Sequence, residues 1–303
     1  MRVNIPLLGD GILRSQEISA GRLLSFTEPL TTLIHGLLHR LLAVIGFQTN
    51  LAELAYRITS ITAGLAALIL YCRFAKKHND GRIFWPLIIV LAGAGFNQIF
   101  YGYVESYGLF LAAVGWYLFL VREKISSPQP SFTPAILAGL AAALHGSGIF
   151  LFPSLVYYWT RRSYFSSRAG RIRFVKEFLI FSAIPAAALA IGLLLVSRPE
   201  IVTSFSELPK KSLLPLWDGF WGYGILSPGH WLDILNQFSL TAPAALLLAV
   251  FSAGRKKNFF QAPEAKFLGL AMAGGIIFLI IVDPKLGAAR DWDLLAWPFM
   301  AFL

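Results

Sequence analysis

Four groups of polar residues interrupt a largely apolar chain, and each carries side chains suited to chemistry. The first is Gly9-Asp10-Gly11, followed by Arg14 and Glu17. Glycines on either side of an aspartate let the backbone turn tightly and present the carboxylate. Asp10 can then act as general base for an acceptor hydroxyl, or help hold a divalent cation such as Mg or Mn. The same Asp-Gly pair also fits an ordinary turn, and Arg14 with Glu17 at i,i+3 fits a helical surface ion pair. The second group is Tyr101-Gly-Tyr103-Val-Glu105-Ser-Tyr107, where Glu105 sits among three tyrosines. It reads as a second acid with tyrosine rings for a sugar to pack on. It reads equally as an aromatic belt with a snorkelling carboxylate.

The third group is His145-Gly-Ser-Gly148, inside the apolar run 133–159. A polar break is costly in lipid, because the freed backbone groups must find partners in protein or in a wet cavity. Such breaks line sites more often than they face lipid, although a kink with a satisfied histidine gives the same pattern. The fourth group runs from Asp283 through Lys285 and Arg290 to Asp293. Arg290 and Lys285 are suited to a phosphate, and Arg290 could also pair with Asp291 or Asp293. The segment 198–236 adds Trp217, Trp221, Trp231, Tyr223, His230 and Asp233. That tryptophan density suits a loop lying on a membrane interface. His230 and Asp233 could pair on one helical turn, but a metal site needs more ligands than these, and no zinc is expected.

The elements that must position these groups are apolar helices. Of the 303 residues 56% are hydrophobic and 14% charged, against about 25% charged in a typical soluble domain. Mean hydropathy is +0.64. The expected fold is all-α, a polytopic transmembrane bundle of about eight spans. Apolar runs cover 52–72, 84–100, 107–121, the broken 133–159, 177–197, 237–252, 266–282 and the start of a last run at 294–303. Residues 31–47 contain His35, His39 and Arg40 and suit an interfacial or re-entrant helix. A single transmembrane domain over 1–303 follows, with 1–50 as an outer loop carrying that helix and 51–303 as the bundle. Cys72 is the single cysteine, which excludes an internal disulfide. No cleavable signal peptide is evident, and the late first run and the apolar end at 294–303 point to a piece of a longer chain.

The net charge is +10. Sixteen of the basic residues lie in four loops, 73–83, 122–132, 160–176 and 253–266, while eight lie on the opposite side. Short basic loops mark the cytoplasmic face, so the charge reads as orientation rather than as nucleic-acid binding. The four polar groups then all face outward. So do twelve of the sixteen acidic residues, counting those at the outer boundary. Insertion does not require that bias, and a site that uses carboxylates would explain it.

In the segments LLGDGILRSQE, YGYVESY and ILAGLAAALHGSGIFLFPSLVYYW, the chain resembles the GT-C superfamily of multi-spanning glycosyltransferases. These use sugars linked to polyprenyl phosphate. The resemblance covers most of residues 5–160. It implies Asp10 as catalytic base or acceptor contact, Glu105 as a second acid, and His145 and Arg290 near the lipid phosphate. Arg14, Glu17, Tyr101, Tyr103 and Lys285 join them as expected substrate contacts. The implied setting is the bacterial inner membrane with its active face extracytoplasmic, and the partners are membrane lipid and a polyprenyl-phosphate-linked sugar. One departure is the lack of a spanning helix before the first outer loop. A lipid-phosphate leaving group needs a base and a cation but no large metal site. No Gly-rich Lys loop for ATP phosphates appears. The rival readings are a multi-pass transporter or flippase, which predicts mid-membrane charges and inverted repeats, and a non-catalytic scaffold.

Overall fold

The computed structural model describes residues 11–77, 84–127, 129–162, 164–195, 213–218, 223–241, 261–284 and 293–302. The described residues are helical, joined by turns, with one isolated antiparallel bridge between Leu213 and Val282. The α-helices are α1 Gly11–Ser19, α2 Pro29–Ile45, α3 Leu51–Lys77, α4 Phe84–Ala92 and α5 Tyr107–Ile125. Then come α6 Thr133–Leu144, α7 Phe152–Arg161, α8 Arg168–Leu195, α9 Pro228–Thr241 and α10 Pro263–Ile281. Tight 3-10 turns cover Gly95–Phe100, Gly146–Leu151 and Trp297–Phe302.

Among the described residues three helices, α3, α8 and α10, are long and apolar enough to cross a membrane. Run 107–121 lies within the continuous helix α5, and several of the remaining runs take different shapes. Run 84–100 divides into α4 and a 3-10 turn. The Asn97 amide donates to the carbonyls of Leu91 and Ala94, and its oxygen accepts from the Tyr71 hydroxyl at 2.7 Å. A side chain that satisfies freed carbonyls in this way stabilises the end of a helix within an apolar layer. Run 133–159 is two helices, α6 and α7, meeting at His145 through the turn Gly146–Leu151. Run 177–197 begins earlier, at Arg168, and run 294–303 contains a 3-10 turn. The start of run 237–252 ends α9 at Thr241, and residues 242–252 lie outside the described residues.

The core is built around α5, where Phe110, Leu111, Val114, Tyr117 and Val121 are fully or almost fully buried. It packs against α3, α6, α10 and the turn Trp297–Phe302. The contacts sort the ends of the helices into two groups. At one end Lys77 of α3 pairs with Glu123 of α5 at 2.7 Å, Arg162 donates to the Lys124 carbonyl, and Ser126 donates to Glu264. At the other end the first turns of α1, α2 and α5 meet the break at His145 and the loop 101–106. We call these the basic end and the carboxylate end.

The loop between α1 and α2 is keyed into the bundle by two leucines. Gly36 of α2 gives way to Leu23, and Gly192 of α8 gives way to Leu24. A methyl at those glycines would stand 2.2 Å and 2.7 Å from the two leucine side chains. Leu23 and Leu24 are accordingly buried.

Candidate functional site

The carboxylate end gathers charged groups from parts of the chain that are distant in sequence. It starts with the loop before α5. The Ser60 hydroxyl of α3 donates to the Ile99 carbonyl and accepts from the Gly102 amide at 3.1 Å, while Gly102 turns the chain with φ +82°. L side chains rarely adopt that conformation. The turn leads to Glu105, which is 3% exposed. Burial of Glu105 removes the snorkelling reading. Tyr103 and Tyr107 are buried beside it in sequence, and Tyr101 is exposed.

The first turn of α1 rests directly on this loop. A Cβ on Gly11 would lie 2.0 Å from the Val104 carbonyl oxygen and 3.4 Å from a carboxylate oxygen of Glu105. Only glycine permits that approach. One turn further, Arg14 pairs with Glu28 at 2.7 Å and with Glu17 at 3.3 Å, and Glu17 also pairs with Arg22. Glu28 is 2% exposed. Its carbonyl accepts from the Thr32 amide at 3.0 Å, and Pro29 follows at the first position of α2. Arg14 and Glu17 are therefore more than a local surface pair: Arg14 also joins α1 to the start of α2.

The break at His145 docks onto the same loop. The Gly146 amide donates to the Thr27 carbonyl at 2.6 Å, and the Thr31 hydroxyl donates to the Leu144 carbonyl at 2.7 Å. Backbone groups freed by the break are thus paired by the residues flanking Glu28, as burial in an apolar layer demands. The Ser147 amide donates to His145 Nδ1 at 3.2 Å, so that nitrogen is an acceptor. The imidazole meets Tyr107 and Phe110 with ring centroids 5.3 Å and 5.4 Å away, and it lies within electrostatic reach of Arg14.

Tyr56 of α3 closes the cluster. Glu28, Arg14, Glu105 and Glu17 all act on it electrostatically. Its ring stacks on His35 at 3.9 Å. His35 Nδ1 faces the Thr31 carbonyl at 2.8 Å, and a carbonyl only accepts, so Nδ1 carries a proton. The other nitrogen meets the Thr59 hydroxyl at 2.7 Å.

Of the expected site residues, Arg14, Glu17, Glu105 and His145 come together here. Tyr103 is buried in the adjoining loop, and Tyr101 faces a groove lined by Ile61, Gly64, Leu68 and Asn97. Asp10, Lys285 and Arg290 lie outside the described residues. Asp293 is buried, and its carboxylate accepts from the Leu294 amide at 2.9 Å. Trp297 follows it and packs on Phe110, the ring that also touches His145. Glu28, Tyr56 and His35 were not among the expected site residues. Glu28 before Pro29 looks like a helix cap in sequence, and its pairing with Arg14 is not periodic with anything.

A second polar cluster sits at the end of α10. His230 donates through Nε2 to the Ile280 carbonyl at 3.1 Å, and the Tyr223 hydroxyl donates to Asp233 at 2.8 Å. Tyr223 therefore stands between His230 and Asp233: its one proton goes to Asp233, and its oxygen lies 3.3 Å from His230 Nδ1. Burial pushes the Tyr223 phenol up, helped by Asp233 and Asp283, and burial draws His230 down against the pull of the Ile280 carbonyl and Asp233.

Among the described residues no group of three or more His, Cys, Asp or Glu is placed to hold a metal ion. The chemistry on offer is a buried carboxylate as proton acceptor, with a guanidinium and an imidazole nearby to take up negative charge. Compared with known proteins, the chain matches no family model, no curated protein and no solved structure. The described residues define a class only: an all-helical bundle with membrane-length helices and a charged cluster at one end.

Proposed function

We propose that this chain is a GT-C-like membrane glycosyltransferase. It moves a sugar from a polyprenyl-phosphate carrier to an acceptor hydroxyl at the carboxylate end. The observation that carries this reading is the convergence of Arg14, Glu28, Glu105 and His145, from four separate segments, at the end opposite the basic loops. Charges taken out of water cost several kcal/mol each. A buried cluster of this kind at a membrane face is best explained by a task that uses it.

In this reading about eight apolar segments cross the bilayer. The basic end faces the cytoplasm, by the distribution of Lys and Arg in short loops, and the carboxylate end faces outward from a bacterial inner membrane. A carboxylate, Glu105 or Asp10, takes the proton of the acceptor hydroxyl. The acceptor oxygen then bonds to the anomeric carbon. The bond from that carbon to the phosphate oxygen breaks, and polyprenyl phosphate leaves with the electron pair. Cationic and hydrogen-bonding groups on the Arg14 and His145 side, with Arg290, take up its charge.

The test is turnover by the full chain in lipid nanodiscs, supplied with polyprenyl-phosphate-linked sugars and read as release of polyprenyl phosphate. Replacing the general base should cost about 10²- to 10⁴-fold, so Glu105→Gln or Asp10→Asn should lose activity on that scale, measured at a temperature where each variant is still folded. Parent-like turnover in both variants removes the assignment. Movement of intact substrate across the membrane without sugar transfer replaces it with a transporter.

A further inference from the structure

We infer that the first three turns of α8 form a binding site for one anionic phospholipid at the basic end. This rests on observations separate from the glycosyltransferase reading. α8 has 28 residues, a length of about 42 Å at 1.5 Å per residue, which exceeds the roughly 30 Å of a hydrocarbon core. Its first turns therefore stand in the headgroup layer when its apolar part is in lipid.

Arg168, Arg171, Ile172, Val175 and Lys176 line one concave strip of surface. Their spacing of three and four places them on a single helical face, which continues to Leu179. All are exposed: Ile172 is 49%, Val175 51% and Leu179 59% accessible, and the three cations are exposed as well. Two features mark this strip as a site rather than a solvated face.

The first is uncompensated charge. Among the described residues none of Arg168, Arg171 and Lys176 has an ion-pair partner. Glu177, the acid of these turns, is fully buried on the opposite face, where it holds Arg173. Several other cations at this end are already engaged. Lys77 pairs with Glu123, and Arg73, Arg122 and Arg162 lie over aromatic rings. Like charges three residues apart on one helix repel, so the strip calls for an anion.

The second feature is the aliphatic side chains between and beyond the cations. Ile172, Val175 and Leu179 give an anion alone nothing to bind, and an acidic protein surface or nucleic acid gains little from them. A ligand with a phosphate at one end and hydrocarbon at the other satisfies both. Its headgroup meets Arg168, Arg171 and Lys176, and its acyl chains run along Val175 and Leu179 toward the bilayer core.

The experiment is native mass spectrometry of the full chain with phosphatidylglycerol or phosphatidylcholine of matched acyl chains. The parent should retain phosphatidylglycerol selectively. A basic side chain at an anionic lipid surface contributes about fivefold in affinity. The triple variant Arg168→Gln, Arg171→Gln, Lys176→Gln should therefore lose on the order of a hundredfold. A control of equal charge, Lys76→Gln, Lys124→Gln, Lys266→Gln, should keep the lipid. Equal loss in the control shows a general surface potential and overturns the site. Ile172→Ser with Val175→Ser, which leaves the charge intact, should weaken retention several-fold. Unchanged retention there, or displacement of the lipid by millimolar inorganic phosphate, shows a bare anion site and overturns the lipid assignment. Should the triple variant melt early, the serine pair and the phosphate competition decide the question.

Discussion

Replacing Glu177 by glutamine should destabilise the basic end by several kcal/mol, for reasons visible atom by atom. The side chain is 0% exposed. One carboxylate oxygen accepts from the Trp159 indole at 2.8 Å, and the other accepts from the Tyr164 hydroxyl at 2.9 Å and Arg173 Nε at 3.0 Å. Three donors thus surround an acceptor with no donor of its own. Glutamine keeps one accepting oxygen. Turned toward Tyr164 and Arg173, it points its NH₂ at the indole N–H and sets two donors face to face. One charge-assisted hydrogen bond is lost, about 1.5–3 kcal/mol, and one buried donor is stranded, about 1–3 kcal/mol. Arg173 also loses its counter-charge, although its contact over the Phe132 ring at 3.9 Å remains. The expected loss is about 3–5 kcal/mol, the cost of breaking a buried ionic contact from one side. Thermal unfolding of the purified chain, followed by tryptophan fluorescence, measures it. Limited proteolysis between Arg161 and Arg168 should quicken in parallel, because Glu177 ties α7 to α8. A variant within 0.5 kcal/mol of the parent, a margin usual for surface positions, would refute the argument that this carboxylate organises the turn.

Other expectations follow from the same contacts. Gly148→Ala would place a methyl 2.5 Å from the Ala141 carbonyl carbon and the Ala142 nitrogen. It should cost about 1–3 kcal/mol by overpacking, read as a lower melting temperature. Arg14→Gln strips Glu28 of its 2.7 Å ion pair and should cost about 3 kcal/mol. Adding Glu28→Gln should recover part of that loss in the same melting assay, and full additivity of the two changes would count against the pair. His230 is held below its ordinary range in the folded chain, chiefly by burial. The unfolded segment therefore takes up a proton first as pH falls. Docking of 223–241 on α10 should be complete above about pH 6.5 and weaken below it as the folded value is approached. Trp231 fluorescence at pH 7.5 and pH 5 would show this, and His230→Gln should remove the pH response.

Much of the architecture could be read from apolar runs, because length and hydropathy decide whether a segment can be solvated by lipid. Runs 52–72, 177–197 and 266–282 lie within or across α3, α8 and α10. The break at His145 was legible too, since glycine and serine between aliphatic stretches leave the backbone without its helical bonds. Its partners were not. Thr27 and Thr31 are more than a hundred residues away, and nothing local to His145 names them. In sequence, run 84–100 reads as one segment for a similar reason. Asn97 looks like a single polar residue in an apolar run until Tyr71 and the carbonyls of Leu91 and Ala94 surround it. At the site, Glu105 stood out because its loop is short. Glu28 did not, because a carboxylate before Pro29 has an adequate local explanation as the end of a helix.

The seating of Leu23 and Leu24 opposite Gly36 and Gly192 has a mechanical corollary. The loop after α1 hangs from two pegs in two notches, one on each of a pair of neighbouring helices. A pull on α1 would load those pegs together with the seat of Gly11 on the Val104 carbonyl and the Arg14–Glu28 pair. The opening event under force should be release of α1 and the loop up to Glu28 in one step, with the Arg14 contacts going at the same instant. The leading segment would come away as a detachable handle, leaving α3 to α8 in place.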